Sequence, residues 1–130
     1  NGDFVTAHII VSTSFLEAHP DLVKAWLSAH VEITQWEIDH PDQAQALLNQ
    51  EIGKFTGKKL ADEVLQQAWA RLRFTWDPIA SSLVESANSA YQAGFLKEEP
   101  DLSGIYDLKL LNEVLKEKNL PLINDIGIQQ

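Results

Sequence analysis

One short run constrains this chain more than any other. His8-Ile9-Ile10-Val11 is apolar and β-branched, with Gly2 upstream and the Ser12-Thr13-Ser14 cluster behind it. A run of that kind, bounded by turn residues, reads as one buried strand. A strand cannot satisfy its own backbone donors and acceptors, so it needs neighbours. Ile9, Ile10 and Val11 are too apolar for a solvated edge. The only other strand-like stretch is the brief Phe74-Thr75-Trp76. Either another chain supplies the neighbours, or a larger protein containing this sequence does. The absence of methionine from all 130 residues points to the second case, a processed or partial chain.

The rest of the sequence has helical period. His19-Pro20-Asp21 opens a helix expected to run to about Asp39, because proline fits a first helical turn and an aspartate suits the positive end of the helix dipole. Leu22, Trp26, Ala29, Ile33 and Trp36 recur along one side, widened by Val23 and Leu27. His40-Pro41-Asp42 repeats the device and opens a second helix through Asn49. Gly53 and Gly57 flank a basic loop, Lys54 to Lys59. A third helix is expected from Leu60 into Arg71, with Val64, Ala68 and Leu72 along one side. Asp77-Pro78 caps a fourth, with Ile79, Leu83, Ala87 and Tyr91 on one face, ending at Gly94. Asp107 caps a last helix with Leu108, Leu111 and Leu115 inward, closed by Asn119, and Leu120 to Gln130 reads as an irregular tail. The residues alone therefore predict a mainly α chain of about five helices with one or two short strands.

Composition narrows the function classes. The chain carries 10 basic and 19 acidic residues, a net charge of -9. Nucleic-acid affinity rests on Lys and Arg contacts to phosphate, and anionic membranes repel acid, so neither partner is expected. With no cysteine there is no thiolate nucleophile and no Cys-based metal site. No apolar run is long enough to span a bilayer.

The individual motifs are weak. His-Pro-Asp also marks co-chaperone J-domains, but there it follows a basic helix, and here acidic residues precede it. His8, His19, His30 and His40 form no H-E-x-x-H pair, so no metal or cofactor is expected, and His30 reads as a core-edge residue. Ser12, Ser14, Ser81 and Ser82 have turn or helix-start roles, and no G-x-S-x-G stands here. Gly53 to Lys59 falls one residue short of a phosphate loop and has Lys59 where a hydroxyl would hold magnesium. No catalytic residue is assigned, and the chain is not expected to be an enzyme. The only two arginines, Arg71 and Arg73, stand just before Phe74-Thr75-Trp76-Asp77. A guanidinium fork, a hydroxyl and an aromatic wall suit a small anion with an apolar tail. Surface pairing with Asp77, Glu63 or Glu85 is the simpler explanation of the same arginines on chemistry alone.

The order of the strand, the hydroxyl cluster, Phe15-Leu16-Glu17-Ala18-His19-Pro20-Asp21-Leu22-Val23-Lys24-Ala25, Trp36 and the second His-Pro-Asp with Gln43-Ala44 is similar to the C-terminal portion of ABC-importer substrate-binding proteins for aliphatic sulfonates, nitrate and taurine. The stretches from Phe74 to Leu83 and from Asp101 to Leu120 resemble the same family. The resemblance implies an α/β periplasmic-binding-protein type II fold, of which residues 1–130 would be the C-terminal segment: the strand 8–11 plus the last helices of the first lobe, with no complete second domain. It implies a periplasmic or membrane-anchored extracytoplasmic solute-binding component that takes a small sulfonate-like anion and docks on a transporter permease. Arg73, Thr75 and Trp76 would be the ligand contacts, joined by Ser12 and Thr13 at the strand end, beyond which α/β sheets bind their ligands. Cut from its sheet, such a segment is expected to expose apolar faces on the first helix or the strand and to self-associate. Two alternatives stand beside this reading. One is an enzyme on the same fold, of the desulfinase or pyrimidine-synthesis type. The other is a free-standing helical interaction domain.

Overall fold

The computed structural model describes residues 4–123. Six helices follow one another: α1 (Thr13–Ala18), α2 (Pro20–Asp39), α3 (Pro41–Thr56), α4 (Asp62–Trp69), α5 (Ala80–Gln92) and α6 (Lys109–Glu117). None of the described residues forms a strand. The expectation of one or two strands, and with it the α/β type II fold, is therefore corrected. The physical reason is the one the sequence itself raises. His8–Val11 meets no second strand, so no ladder can form and the segment stays irregular, outside any helix. Phe74–Trp76 likewise lies in a bend rather than a strand.

The helix starts explain themselves. Pro20 and Pro41 each occupy the first position of a helix, with Asp21 and Asp42 in the first turn. Each preceding histidine does more than start a helix. The backbone N–H of His19 donates to Phe15 O at 2.9 Å, closing α1, and the N–H of Val23 donates back to His19 O at 3.2 Å, opening α2. His40 repeats both bonds, to Trp36 O at 2.8 Å and from Ala44 at 2.9 Å. The two histidines share one backbone conformation, φ/ψ -138/52 and -131/54. A proline forbids helical geometry in the residue before it, so one residue ends one helix and begins the next without a loop. Each ring packs on the aromatic residue four positions earlier, at centroid distances of 5.0 Å (Phe15) and 5.4 Å (Trp36).

Several boundaries differ from expectation. An added short helix follows the hydroxyl cluster: Ser12 caps α1, its hydroxyl accepting from the N–H of Phe15. Helix α3 runs on to Thr56, and Gly57 closes it at φ 77, a conformation that favours glycine. The stretch expected as a basic loop is thus, up to Gly57, the end of a helix and its cap. Lys59 folds its aliphatic stem over Gly53, where an added Cβ would meet Lys59 Cγ at 2.8 Å. Helix α5 starts at Ala80, because Asp77 caps a tight turn instead, its Oδ1 accepting from the N–H of Ile79 at 2.8 Å. Ile79 then sits at φ 46, a strained position for a β-branched residue.

The chain divides into two compact units, Asn1–Ser28 with Asp77–Gln130, and Ala29–Trp76. In the first unit Leu111, Val114 and Leu115 of α6 are buried together with Ala80 and Ser82 of α5. Lys24 on α2 bridges Glu113 (3.1 Å) and Glu117 (2.7 Å) of α6. Asn112 holds the chain after α6: its side-chain amide donates to Ile123 O and accepts from Ile123 N–H, both at 2.9 Å. In the second unit Val31, Thr34, Ala44, Asn49 and Leu65 are buried, and α3 packs on α4. The same clamp recurs there, from Asn49 to Leu60 at 3.0 and 2.8 Å. In both units the asparagine closes on the residue eleven positions later, which is how a helix and the loop behind it are locked without a sheet.

Candidate functional site

The proposed anion contacts fall in two different compact units. Arg73, Thr75 and Trp76 lie in the irregular stretch after α4, in the second unit, with Arg73 exposed and the other two half-buried. Ser12 and Thr13 belong to the first unit, where Ser12 is spent on the α1 cap and Thr13 opens that helix, both exposed. In place of a strand end, these two residues sit at a helix start. The aromatic neighbour of Arg73 is engaged elsewhere, since the Phe74 ring packs on Trp69 at 4.6 Å.

A small hollow of about 270 Å³ lies along α5, lined by Phe4, Ser82, Glu85, Ser86 and Ser89. Two of its hydroxyls are already committed. Ser82 Oγ accepts from the N–H of Val5 at 3.1 Å, and Ser86 Oγ donates to Ser82 O at 2.8 Å. The volume lies below the roughly 300–1,000 Å³ of pockets that enclose a small molecule. Among the described residues no three His, Asp or Glu side chains are grouped as a metal site would require.

What the first unit does present is apolar surface. The segment leading to α1 is tethered at both ends: Val5 to Ser82, and the His8 ring Nε2 between Pro78 O (3.2 Å) and the Tyr106 hydroxyl (2.9 Å). Between the His8 anchor and the Ser12 cap stand Ile9, Ile10 and Val11, all exposed, Ile10 to 91%. Phe15, Leu22 and Trp26 continue the exposed apolar set along α1 and α2. Helix α2 carries apolar side chains on two opposite sides. Leu22, Trp26 and Ile33 share one side, and that side faces solvent, Leu22 at 55% and Trp26 at 50%. Val31 and Thr34 lie on the other and are buried. Of the stripe read from the sequence, Leu22, Trp26, Ala29 and Ile33 are exposed and Val23, Leu27 and Trp36 half-buried.

Charge frames this surface. Glu17 and Asp21 flank it and are exposed. The carboxylates of Glu117 and Glu113 hold the Lys24 ammonium charged and raise its pKa. Also on α2, burial lowers the pKa of His30 and raises that of Glu37, each toward its neutral form. Burial, helped by the nearby Asp77 charge, also raises the Tyr106 phenol, so it stays a hydroxyl partner of His8. Sequence reasoning missed both asparagine clamps. The repeated eleven-residue spacing from Asn49 to Leu60 and Asn112 to Ile123 was the available signal.

No family model matches the chain, and no solved structure matches it. Over 108 residues, 83% of this chain, it is 25% identical to a Bacillus subtilis (strain 168) protein described as aliphatic sulfonates-binding, and the match spans 32% of that protein's length. That distant, partial similarity does not carry the binding-protein reading against a described chain made of helices alone. A type II binding fold seats its ligand beyond the strand ends of a sheet, and no sheet stands among the described residues. The assignments to an ABC importer's solute-binding component, to a sulfonate-like ligand and to a permease partner are corrected with it. No described helix is long and apolar enough to cross a membrane.

Proposed function

We propose that this chain is a helical interaction module that docks a partner polypeptide on the apolar surface of its first unit. The observation that carries the reading is the exposed apolar series Ile9, Ile10, Val11, Phe15, Leu22 and Trp26, set beside a core of few buried side chains. Contiguous apolar surface on a folded protein marks a place where something binds.

The chemistry of the partner follows from the surface. Its centre is apolar and aromatic, with Trp26 as the side chain best suited to anchor in a pocket. Its rim is acidic at Glu17 and Asp21, in a chain of net charge -9. The matching partner has an apolar centre and a basic rim, which also speeds encounter.

Selection of a displayed random-peptide library on the immobilised chain tests this. Enriched peptides should combine apolar anchors with flanking Lys or Arg. They should lose binding at least about tenfold, on the order of 1.4 kcal/mol, to Leu22→Lys and to Leu22→Lys/Trp26→Lys. Far-UV circular dichroism verifies that both variants keep their helices. Peptides that bind wild type and variants equally, or no enrichment at all, would refute the proposal.

A further inference from the structure

The helical face accounts for Leu22 and Trp26 but not for the character of the segment before α1. Residues 6–11 are irregular and exposed, and no backbone hydrogen bond joins them to another described residue. Yet their composition is that of a strand, with three consecutive β-branched side chains at Ile9, Ile10 and Val11. Phe4 to Leu16 contains no Asp, Glu, Lys, Arg or Pro, and is the longest uncharged run in the chain. Natural open strands are blunted by charges, proline or bulges so that they do not pair. This segment has none of the first two, and Val5 and His8 hold it at fixed points on the first unit.

We infer that Thr6–Val11 is a donated strand: it pairs with the open edge of a β-sheet in a partner polypeptide. The inference rests on the interaction-module reading and names how the partner is engaged. Two features identify the partner's chemistry. The unpaired N–H and C=O groups of the segment require a matching row of backbone donors and acceptors, which a sheet edge supplies. Ile9 and Val11 would project to one face and Ile10 to the other, so both faces of that sheet are covered by apolar layers. The absence of charge removes the desolvation cost of inserting the segment there. The His8 and Val5 anchors reduce the ordering cost on this side of the interface.

Strand pairing has a signature that general apolar contact lacks, its period of two. Along a newly added edge strand, alternate N–H groups point to the neighbour, and the others point away. Ile9→Pro and Ile10→Pro each delete one N–H, and only one of the two deletes a ladder donor. The probe is a soluble designed β-hairpin of alternating Val and Thr with one open edge, fluorescently labelled and titrated with the whole chain. The expected result is saturable binding, weakened about tenfold or more by one proline variant and no more than about threefold by the other. Ile9→Ala and Ile10→Ala should fall between these, and amide exchange on the wild-type complex should slow at alternate residues of 8–11. Because the segment takes no part in any helix, circular dichroism of the proline variants should match wild type.

Absence of hairpin binding overturns the inference, as does equal weakening by both prolines in step with the alanines. Amide protection that rises with chain concentration in the absence of hairpin overturns it too, since a second copy would then be the occupant. In each case peptides that depend on Leu22 and Trp26 would leave the interaction-module reading standing. Loss of both sets of binding would remove the two together.

Discussion

Substituting Asn49 by alanine tests how a chain without a sheet locks its loops. Asn49 is 6% exposed, on α3, and its side chain makes both bonds to the Leu60 backbone, just ahead of α4. Asn49→Ala deletes two hydrogen bonds, each worth about 0.5–1.5 kcal/mol net, and leaves Leu60 N–H and C=O without partners. Leu60 is partly exposed, so its freed groups regain some water and the penalty stays below that of fully buried groups. The expected loss is about 2–3 kcal/mol. At this chain length that lowers the thermal midpoint by about 8–12 °C, followed by circular dichroism at the helix band. Asn49→Asp adds a directional check. At neutral pH its carboxylate accepts from Leu60 N–H but repels Leu60 O, so it should be no more stable than Asn49→Ala. The protonated acid regains the donor, so its folded-state pKa is raised. Its stabilising contribution is then present in full below the unfolded value of about 4 and is lost as pH rises through the folded value. The gap between Asn49→Asp and wild type should therefore narrow on acidification. A loss under about 0.5 kcal/mol in Asn49→Ala, or a gap indifferent to pH, would refute the clamp as a source of stability.

Three further expectations concern other parts of the structure. Leu115 is fully buried in the first unit, and Leu115→Ala should cost about 2–5 kcal/mol in urea unfolding. Burial lowers the pKa of His30, so its stabilising contribution is present above the unfolded value of about 6.5 and is lost as pH falls through the folded value. His30→Gln should flatten the stability profile in that acidic window, and the His30 titration followed by NMR should have its midpoint below 6.5. Gly57 closes α3 at φ 77 with open space around it, so Gly57→Ala should cost about 1 kcal/mol from backbone strain alone, read from the thermal midpoint.

Helices α2 and α6 show how far the sequence reaches. The Pro20 and Pro41 starts, the end of α2 near Asp39 and the inward Leu111 and Leu115 were legible, because capping, proline geometry and one strong apolar stripe act within a few residues. The stripe Leu22, Trp26, Ile33 was legible as a stripe, but its period alone did not say which way it faces. Periodicity says which residues share a side. When a helix is apolar on two sides, only the packing of the remaining chain decides which is covered. Helix α4 shows the same limit at smaller scale: Leu65 is buried, while Val64 and Ala68, which share the side read from the sequence, are exposed.

The candidate site followed the same division. Arg73, Thr75 and Trp76 were chosen for their chemistry, which is local, and the structure sets them in a different compact unit from Ser12 and Thr13. By itself the sequence determined the helix content, the two histidine junctions and the strand-like character of His8–Val11, since each rests on neighbours along the chain. Tertiary structure alone decided that α2 leaves Trp26 exposed and that Asn49 and Asn112 close on residues eleven positions away. Those outcomes depend on what lies across space from each residue: burial and pairing are properties of two surfaces, and a sequence pattern describes only one of them.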